Sequence, residues 1–372
     1  MRHQLRQADY ALLITIVGLV LFGLIMLSSA SSVISFQQYG DSNALLRRQI
    51  ISAVLGLAGF FIIQRLDYHL WKKFAVLLLF LSIVFLIMVF VPGIGEEYLG
   101  ARRWINLGVQ FQPTELVKLA FLVYLASWLE KRREGFREPI YSFVPFMVIL
   151  GIITLLVMAQ PDLGTMTVIG LIAVIVYFVA GAPAKHFAWI TAIAVSLFAI
   201  FIKIAPYRAA RLTVFLNPAL DPQGIGYHIN QALLAIGTGG IFGVGLGHSR
   251  QKFNYLPEAA GDSIFAVIAE ELGFLMVVAL LAVFAFLIYR GFQTARQAPD
   301  DFGRLLAAGI TAWLGLQAFV NIGALSGILP LTGIPLPFVS YGGTALVINL
   351  AAAGILLSIS RQKKEVKSFR SL

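Results

Sequence analysis

Long apolar runs recur from one end of this sequence to the other, and they limit its fold more than any other feature. A helix rises about 1.5 Å per residue, so a bilayer core of about 30 Å takes about 20 helical residues. Windows of that kind fall near residues 10–33, 47–64, 74–92, 114–130, 141–159, 164–181, 186–205, 264–289, 304–329 and 343–360. They predict an all-α polytopic membrane protein with about ten transmembrane helices, forming a single domain over 1–372. Composition agrees, with 59% of residues hydrophobic and 12% charged. A soluble domain carries roughly a quarter charged residues, so this chain lacks the means to coat a water-facing surface. The first run follows Arg2 and Arg6 as a signal peptide would, but it is long enough to cross and is read as an uncleaved span.

Charge sets the expected orientation. With the N-terminus inside, 18 of the 28 Lys and Arg fall on inner segments. That excess has the sense of the positive-inside rule and puts both termini in the cytoplasm. The formal charge of +10 is then a topology and lipid-headgroup signal, and no nucleic acid is needed to explain it. There is no cysteine, which excludes disulfides and thiolate metal sites.

The polar and backbone-special residues gather on the outer segments. One is Gly100-Ala101-Arg102-Arg103-Trp104, running into Gln112-Pro113-Thr114-Glu115-Leu116-Val117-Lys118. Pro113 suits the first turn of a helix, and Glu115 and Lys118 then share one face. They fit an internal ion pair or a functional site at membrane depth equally well. A second, Gln160-Pro161-Asp162-Leu163-Gly164-Thr165, fits a capping turn or a site. The third is a long loop before the eighth span, about 206–263, rich in glycine and ending in Leu256-Pro257-Glu258-Ala259-Ala260-Gly261-Asp262-Ser263. A loop of that length in a compact protein usually carries function. Its glycines invite a nucleotide-loop reading, but no strand precedes them and no Lys-Ser/Thr follows. Asp262 falls at the mouth of the eighth helix, where an N-cap is the structural alternative. The fourth segment, Leu329 to Thr344, holds three prolines and predicts a rigid non-helical loop. Irregular backbone there must be buried in protein or line a wet cavity.

Together these segments resemble the SEDS family of cell-wall polymerases, with its FtsW, RodA and SpoVE branches. The resemblance rests on Gly-Ala-x-Arg-Trp, Gln-Pro-x-Glu-x-x-Lys, Gln-Pro-Asp-Leu-Gly-Thr, Leu-Pro-Glu followed by Asp, and Pro-Leu-Pro-x-Val-Ser-Tyr-Gly-Gly, in that order. Gly245 to Lys252 is similar to the FtsW and SpoVE branch, while Ile334 to Pro337 leans toward RodA. The FtsW-like division branch is favoured over the RodA-like elongation branch. The resemblance implies an inverting peptidoglycan glycosyltransferase that polymerises lipid II on the outer face of the bacterial cytoplasmic membrane. It also implies a single-span class B penicillin-binding transpeptidase as partner. The family's essential aspartate matches Asp262, its basic and acidic pair matches Lys118 and Glu115, and its loop arginine matches Arg103. The chain departs from the common Ala-His-Thr-Asp-Phe pattern, having Ala259-Ala260-Gly261-Asp262-Ser263.

Such a reaction needs a base for the attacking sugar hydroxyl and positive charge for the departing pyrophosphate. Asp262 is the expected base. Arg103, Lys118, Arg208, Arg211 and Lys252 are the expected cations, with Asp162 and Glu115 holding a cation or tuning Lys118. A divalent cation, Mg²⁺ or Mn²⁺, would serve the same end, with no ligand set readable from spacing and no organic cofactor expected. The alternatives are a lipid II flippase, for which the mid-span Glu270 and Glu271 speak, or a scaffold without catalysis.

Overall fold

In a computed structural model the structure describes residues 8–98, 101–106, 110–132, 138–204, 213–217, 220–224 and 226–362. Each of the ten apolar windows holds a helix: α1 (Tyr10–Ala30), α3 (Ala44–Ile63), α4 (His69–Met88), α5 (Pro113–Glu130), α6 (Pro139–Ala159), α7 (Leu163–Val179), α8 (Ala184–Ile204), α10 (Ile264–Gln297), α11 (Asp301–Leu325) and α12 (Gly343–Arg361). Short α2 (Ser32–Tyr39) extends α1, and α9 (Tyr227–Thr238) lies inside the expected long loop. Among the described residues, seven helices are long and apolar enough to cross a membrane, namely α1, α3, α4, α6, α10, α11 and α12. Two of the other three windows differ for evident reasons. Helix α5 carries Glu115, Lys118 and Glu130, and α7 has only 17 residues.

Caps fix where the helices begin. The Asp9 carboxylate accepts from Leu12 N at 3.1 Å, and Asp300 accepts from Gly303 N at 2.6 Å, satisfying first-turn donors. Helices α11 and α12 form the centre, with 78% and 72% of their central windows buried against 22% for α3 and α4. Helix α11 packs on α10, α7 and α5, and α12 packs on α3. The outward faces of the peripheral helices carry Ile14, Val54, Leu55, Val76 and Leu155 to the surface, as lipid-facing helices do. One end of the bundle is zipped by Arg290–Asp9 at 2.6 Å, by Lys72–Glu130 at 2.5 Å and by Tyr68 donating to Asp300 at 2.6 Å.

The opposite end holds what the apolar pattern did not predict. A three-stranded antiparallel sheet, β1 (Gly95–Tyr98), β2 (Ala101–Asn106) and β3 (Gln110–Phe111), precedes α5. The eighth span is broken. Gly273, at φ 76° and ψ −178°, divides α10 into a short first segment and a long second one. The break frees backbone groups, and the glycine-rich turn after α9 takes them up. Val244 N and Gly245 N donate to the carbonyls of Glu270 and Glu271 at 3.0 Å each, while Phe274 N donates to Gly240 O at 2.9 Å and Leu275 N to Ile241 O at 3.2 Å. Only glycine fits this contact. A Cβ on Gly243 would stand 2.2 Å from Glu271 O, and one on Gly273 2.2 Å from Gly243 N. The glycines therefore allow backbone to meet backbone.

Candidate functional site

Asp262 stands at the entry to α10, one residue before the N-cap position. That position belongs to Ser263, whose hydroxyl makes no capping bond. The N-cap reading of Asp262 is thereby set aside. Three elements fix the aspartate. Asn321 of α11 donates through Nδ2 to Asp262 O and to Ile334 O, both at 2.7 Å. Tyr341 N donates to Ala260 O at 2.9 Å. Gly333, at φ +68°, lies against the carboxylate, so that a Cβ there would be 3.7 Å from Asp262 Oδ2. The proline-rich 329–342 segment is thus a lip over the side chain, which stays partly exposed.

Burial pushes the Asp262 carboxyl up to about 7, and the charge of Glu258 adds to the rise. The Ser263 hydroxyl and the N–H groups of Asp262 and Ser263 pull the other way. A carboxylate with proton affinity near neutral pH suits a general base. Across the entry, His228 of α9 places Nε2 2.6 Å from Ser263 Oγ, and Ser263 Oγ donates to Pro257 O at 2.8 Å.

A second cluster lies under the lip. Lys118 and Glu115 form an ion pair at 2.8 Å, each side chain 3% exposed. Lys118 Nζ also donates to Gln317 Oε1 at 3.0 Å and stands 5.1 Å from the centre of the Trp313 ring. Gln317 Nε2 in turn donates to Pro335 O at 2.9 Å. Gln317 and Asn321, one helical turn apart, therefore link the ion pair to the lip and to the Asp262 backbone. Lys118 and Glu115, expected to meet substrate, are closed in by these partners.

The remaining expected residues divide. Arg103 of β2 donates to the carbonyls of Gln160 at 3.2 Å and Pro161 at 2.6 Å, capping the end of α6. These bonds engage two of its five N–H donors. Asp162 caps α7, accepting from Thr165 N at 3.0 Å and Thr165 Oγ1 at 2.8 Å, and it is buried. Both its oxygens are engaged in this cap. Gly164 of the same turn packs against Thr332 O, so the turn braces the lip.

Lys252 is likewise enclosed. It is buried, bonded to Glu271 Oε1 at 2.9 Å, Ser29 Oγ at 2.8 Å and Gly247 O at 2.7 Å, and Glu270 accepts from Ser249 Oγ at 2.5 Å and Arg250 N at 2.9 Å. These contacts tie the glycine turn to α10. Arg208 and Arg211 lie outside the described residues. Among the described residues no group of three His, Asp or Glu side chains gathers to hold a metal ion.

Sequence reasoning missed His228, Gln317 and Asn321. The last two carried a signal, being amides four residues apart in an apolar span, where polar groups face the bundle interior. His228 carried none, because its partner is 35 residues away.

A family model described as cell cycle protein, covering FtsW, RodA and SpoVE, matches residues 10–365. A probable peptidoglycan glycosyltransferase FtsW of Geobacter sp. (strain M18) is 42% identical over 357 residues, 96% of this chain and 97% of the relative. Stage V sporulation protein E of Bacillus subtilis (strain 168) is 42% identical over 357 residues, 96% of this chain and 98% of the relative. Among solved structures, a chain from a peptidoglycan synthase complex, studied for how polymerization and crosslinking are coordinated, superposes with a TM-score of 0.80 at 32% identity. It covers 95% of this chain and 98% of that one. The rod shape determining protein RodA of Thermus thermophilus superposes with a TM-score of 0.71 at 31% identity, covering 96% and 98%.

Proposed function

The chain belongs to the FtsW, RodA and SpoVE family of cell cycle proteins, and on that premise we propose that it polymerises lipid II into glycan strands with Asp262 as the base. It is a multi-pass membrane peptidoglycan glycosyltransferase. A sugar hydroxyl of one chain attacks the anomeric carbon of the other. The new glycosidic C–O bond forms as the bond to pyrophosphate breaks, with inversion, and the hydroxyl proton passes to Asp262. The observation that carries this reading is the place of Asp262 at the entry to α10, beneath the 329–342 lip and partly exposed, where burial raises its carboxyl. Arg103, beside the α6–α7 turn, is the described cation we assign to the pyrophosphate, with Arg208 and Arg211 kept as candidates. No step is routed through a resident metal.

We place the active face outside the cytoplasmic membrane, the sense given by the charge asymmetry of the segments. The division branch is favoured because the FtsW and SpoVE relatives are 42% identical while the RodA structure is 31% identical. A crosslinking transpeptidase with a single span is the proposed partner, supported by the likeness to a chain of a synthase complex. The flippase alternative loses its support, because Glu270 and Glu271 are engaged by Ser249, Arg250 and Lys252. The test is glycan synthesis from lipid II by purified protein, with and without the transpeptidase and with and without divalent cation. Strands from the wild type and none from Asp262→Asn are expected. Equal synthesis by both would remove Asp262 from the chemistry.

A further inference from the structure

The two positions before Asp262 are Ala260 and Gly261, which have no polar side-chain atom to orient the carboxylate. The residue after it is a serine whose hydroxyl is diverted from its usual work. A serine at an N-cap normally accepts from the backbone of the first turn. Ser263 makes no such bond. Its oxygen is held instead between His228 Nε2 at 2.6 Å, Pro257 O at 2.8 Å and Asp262 Oδ1 at 3.5 Å.

The direction of these bonds follows from the partners. The Pro257 carbonyl and an ionised Asp262 carboxylate only accept, so the single hydroxyl hydrogen points to their side. The lone pairs of Ser263 then face His228, and Nε2 carries the hydrogen that binds them. Burial holds the imidazole of His228 below its ordinary range, so the ring is neutral at pH 7 and Nε2–H is its one ring donor toward this hydroxyl.

We propose that His228 is a positioning residue for the Asp262 base, acting through the Ser263 hydroxyl. This rests on the reading of Asp262 above and adds to it. His228 fixes the oxygen of Ser263, whose hydrogen lies between Pro257 O at 2.8 Å and the carboxylate edge at 3.5 Å. Helix α9 thus reaches from the middle of the long loop to the reacting end of α10. The other groups facing the carboxylate are Glu258 from the preceding turn, the N–H groups of Asp262 and Ser263, and Gly333 from the lip, while Asn321 of α11 holds the Asp262 backbone carbonyl. His228 is therefore the one described side chain outside the 257–263 turn that reaches the hydroxyl beside the base.

The experiment compares glycan synthesis from lipid II across pH for wild type, Asp262→Asn, His228→Ala, His228→Gln, Ser263→Ala and the His228→Ala/Ser263→Ala double variant. Each is first checked for a monodisperse elution profile. His228→Ala is expected to lower kcat about tenfold, the order of one lost orienting hydrogen bond, with KM for lipid II unchanged. Losing the donor also weakens support for the ionised carboxylate, so the acid limb of the pH profile moves to higher pH.

Ser263→Ala should move it the same way, and the double variant should be no worse than Ser263→Ala alone. His228→Gln, which keeps an N–H donor, should recover most of the rate. The proposal is overturned if His228→Ala keeps the wild-type kcat and acid limb while Asp262→Asn is inactive. It is equally overturned if His228→Ala loses only thermal stability and its folded fraction keeps the wild-type profile. If Asp262→Asn itself is active, the reading of the base fails and this inference with it.

Discussion

Lys118 Nζ lies 3.0 Å from Gln317 Oε1 and 2.8 Å from Glu115 Oε1, so one buried ammonium joins α5 to α11 beneath the lip that faces Asp262. Removing one partner of a buried pair strands the other charge at a cost of about 3–5 kcal/mol, whereas removing both is far milder. Glu115 Oε2 already has no hydrogen-bond partner. Lys118→Met is therefore expected to unfold at much lower temperature than wild type in detergent, and Lys118→Met/Glu115→Leu to recover most of that loss. Turnover should fall in both, because Gln317 loses one of the two donors that hold its Oε1, keeping only Trp313 Nε1. Thermal unfolding and lipid II turnover check the two halves separately, and a double variant as unstable as the single would refute the pairing argument.

Asp262→Asn should be inactive yet more stable than wild type above neutral pH. The sign follows from the raised carboxyl, at about 7 in the fold against an ordinary value of 3.8. Between those values the folded state holds a proton that the unfolded chain has lost, so wild-type stability falls as pH rises from about 4 to 7. Asparagine removes that dependence. Melting temperatures of the two proteins from pH 5 to 9 should diverge toward the alkaline end. Parallel curves would mean that the carboxyl is not raised.

Gly243→Ala and Gly273→Ala should each destabilise by about 2 kcal/mol or more, since both need positive φ and both meet backbone at the break in α10. Gly247→Ala is the control. Its φ is also positive, but nothing lies within 4 Å of an added Cβ. Only the cost of the left-handed backbone, about 1–2 kcal/mol, is expected there. Denaturant unfolding ranks the three.

Lys252→Met should cost about 3–5 kcal/mol through the stranded Glu271 while leaving KM for lipid II unchanged in the folded fraction. A raised KM with intact stability would return Lys252 to the substrate site.

The spans were legible because twenty apolar residues have one economical solution in a bilayer. The sheet was not, since strands of two to six residues leave no periodicity to find. The break at Gly273 was hidden in the same way, as hydropathy runs straight through a conformational change of one residue. Asp262 was singled out by its place before a long apolar run, and that place needs no partner to be noticed. Lys118 and Lys252 were equally visible as residue types, but their surroundings depend on Gln317 and Ser29. Those partners are fixed by packing, which one-dimensional spacing does not encode. The glycines after α9 were visible and resisted explanation until the facing backbone of α10 was in place.

The seam between the glycine turn and the interrupted α10 bears on how the molecule is made. Residues 240–252 are made before this span, whose outer part carries four backbone groups and two carboxylates that the turn must meet. An isolated copy of the segment is a poor membrane passenger, so its residence in the bilayer depends on the neighbouring turn arriving with it. Biogenesis is thereby coupled to completion of the region carrying Asp262.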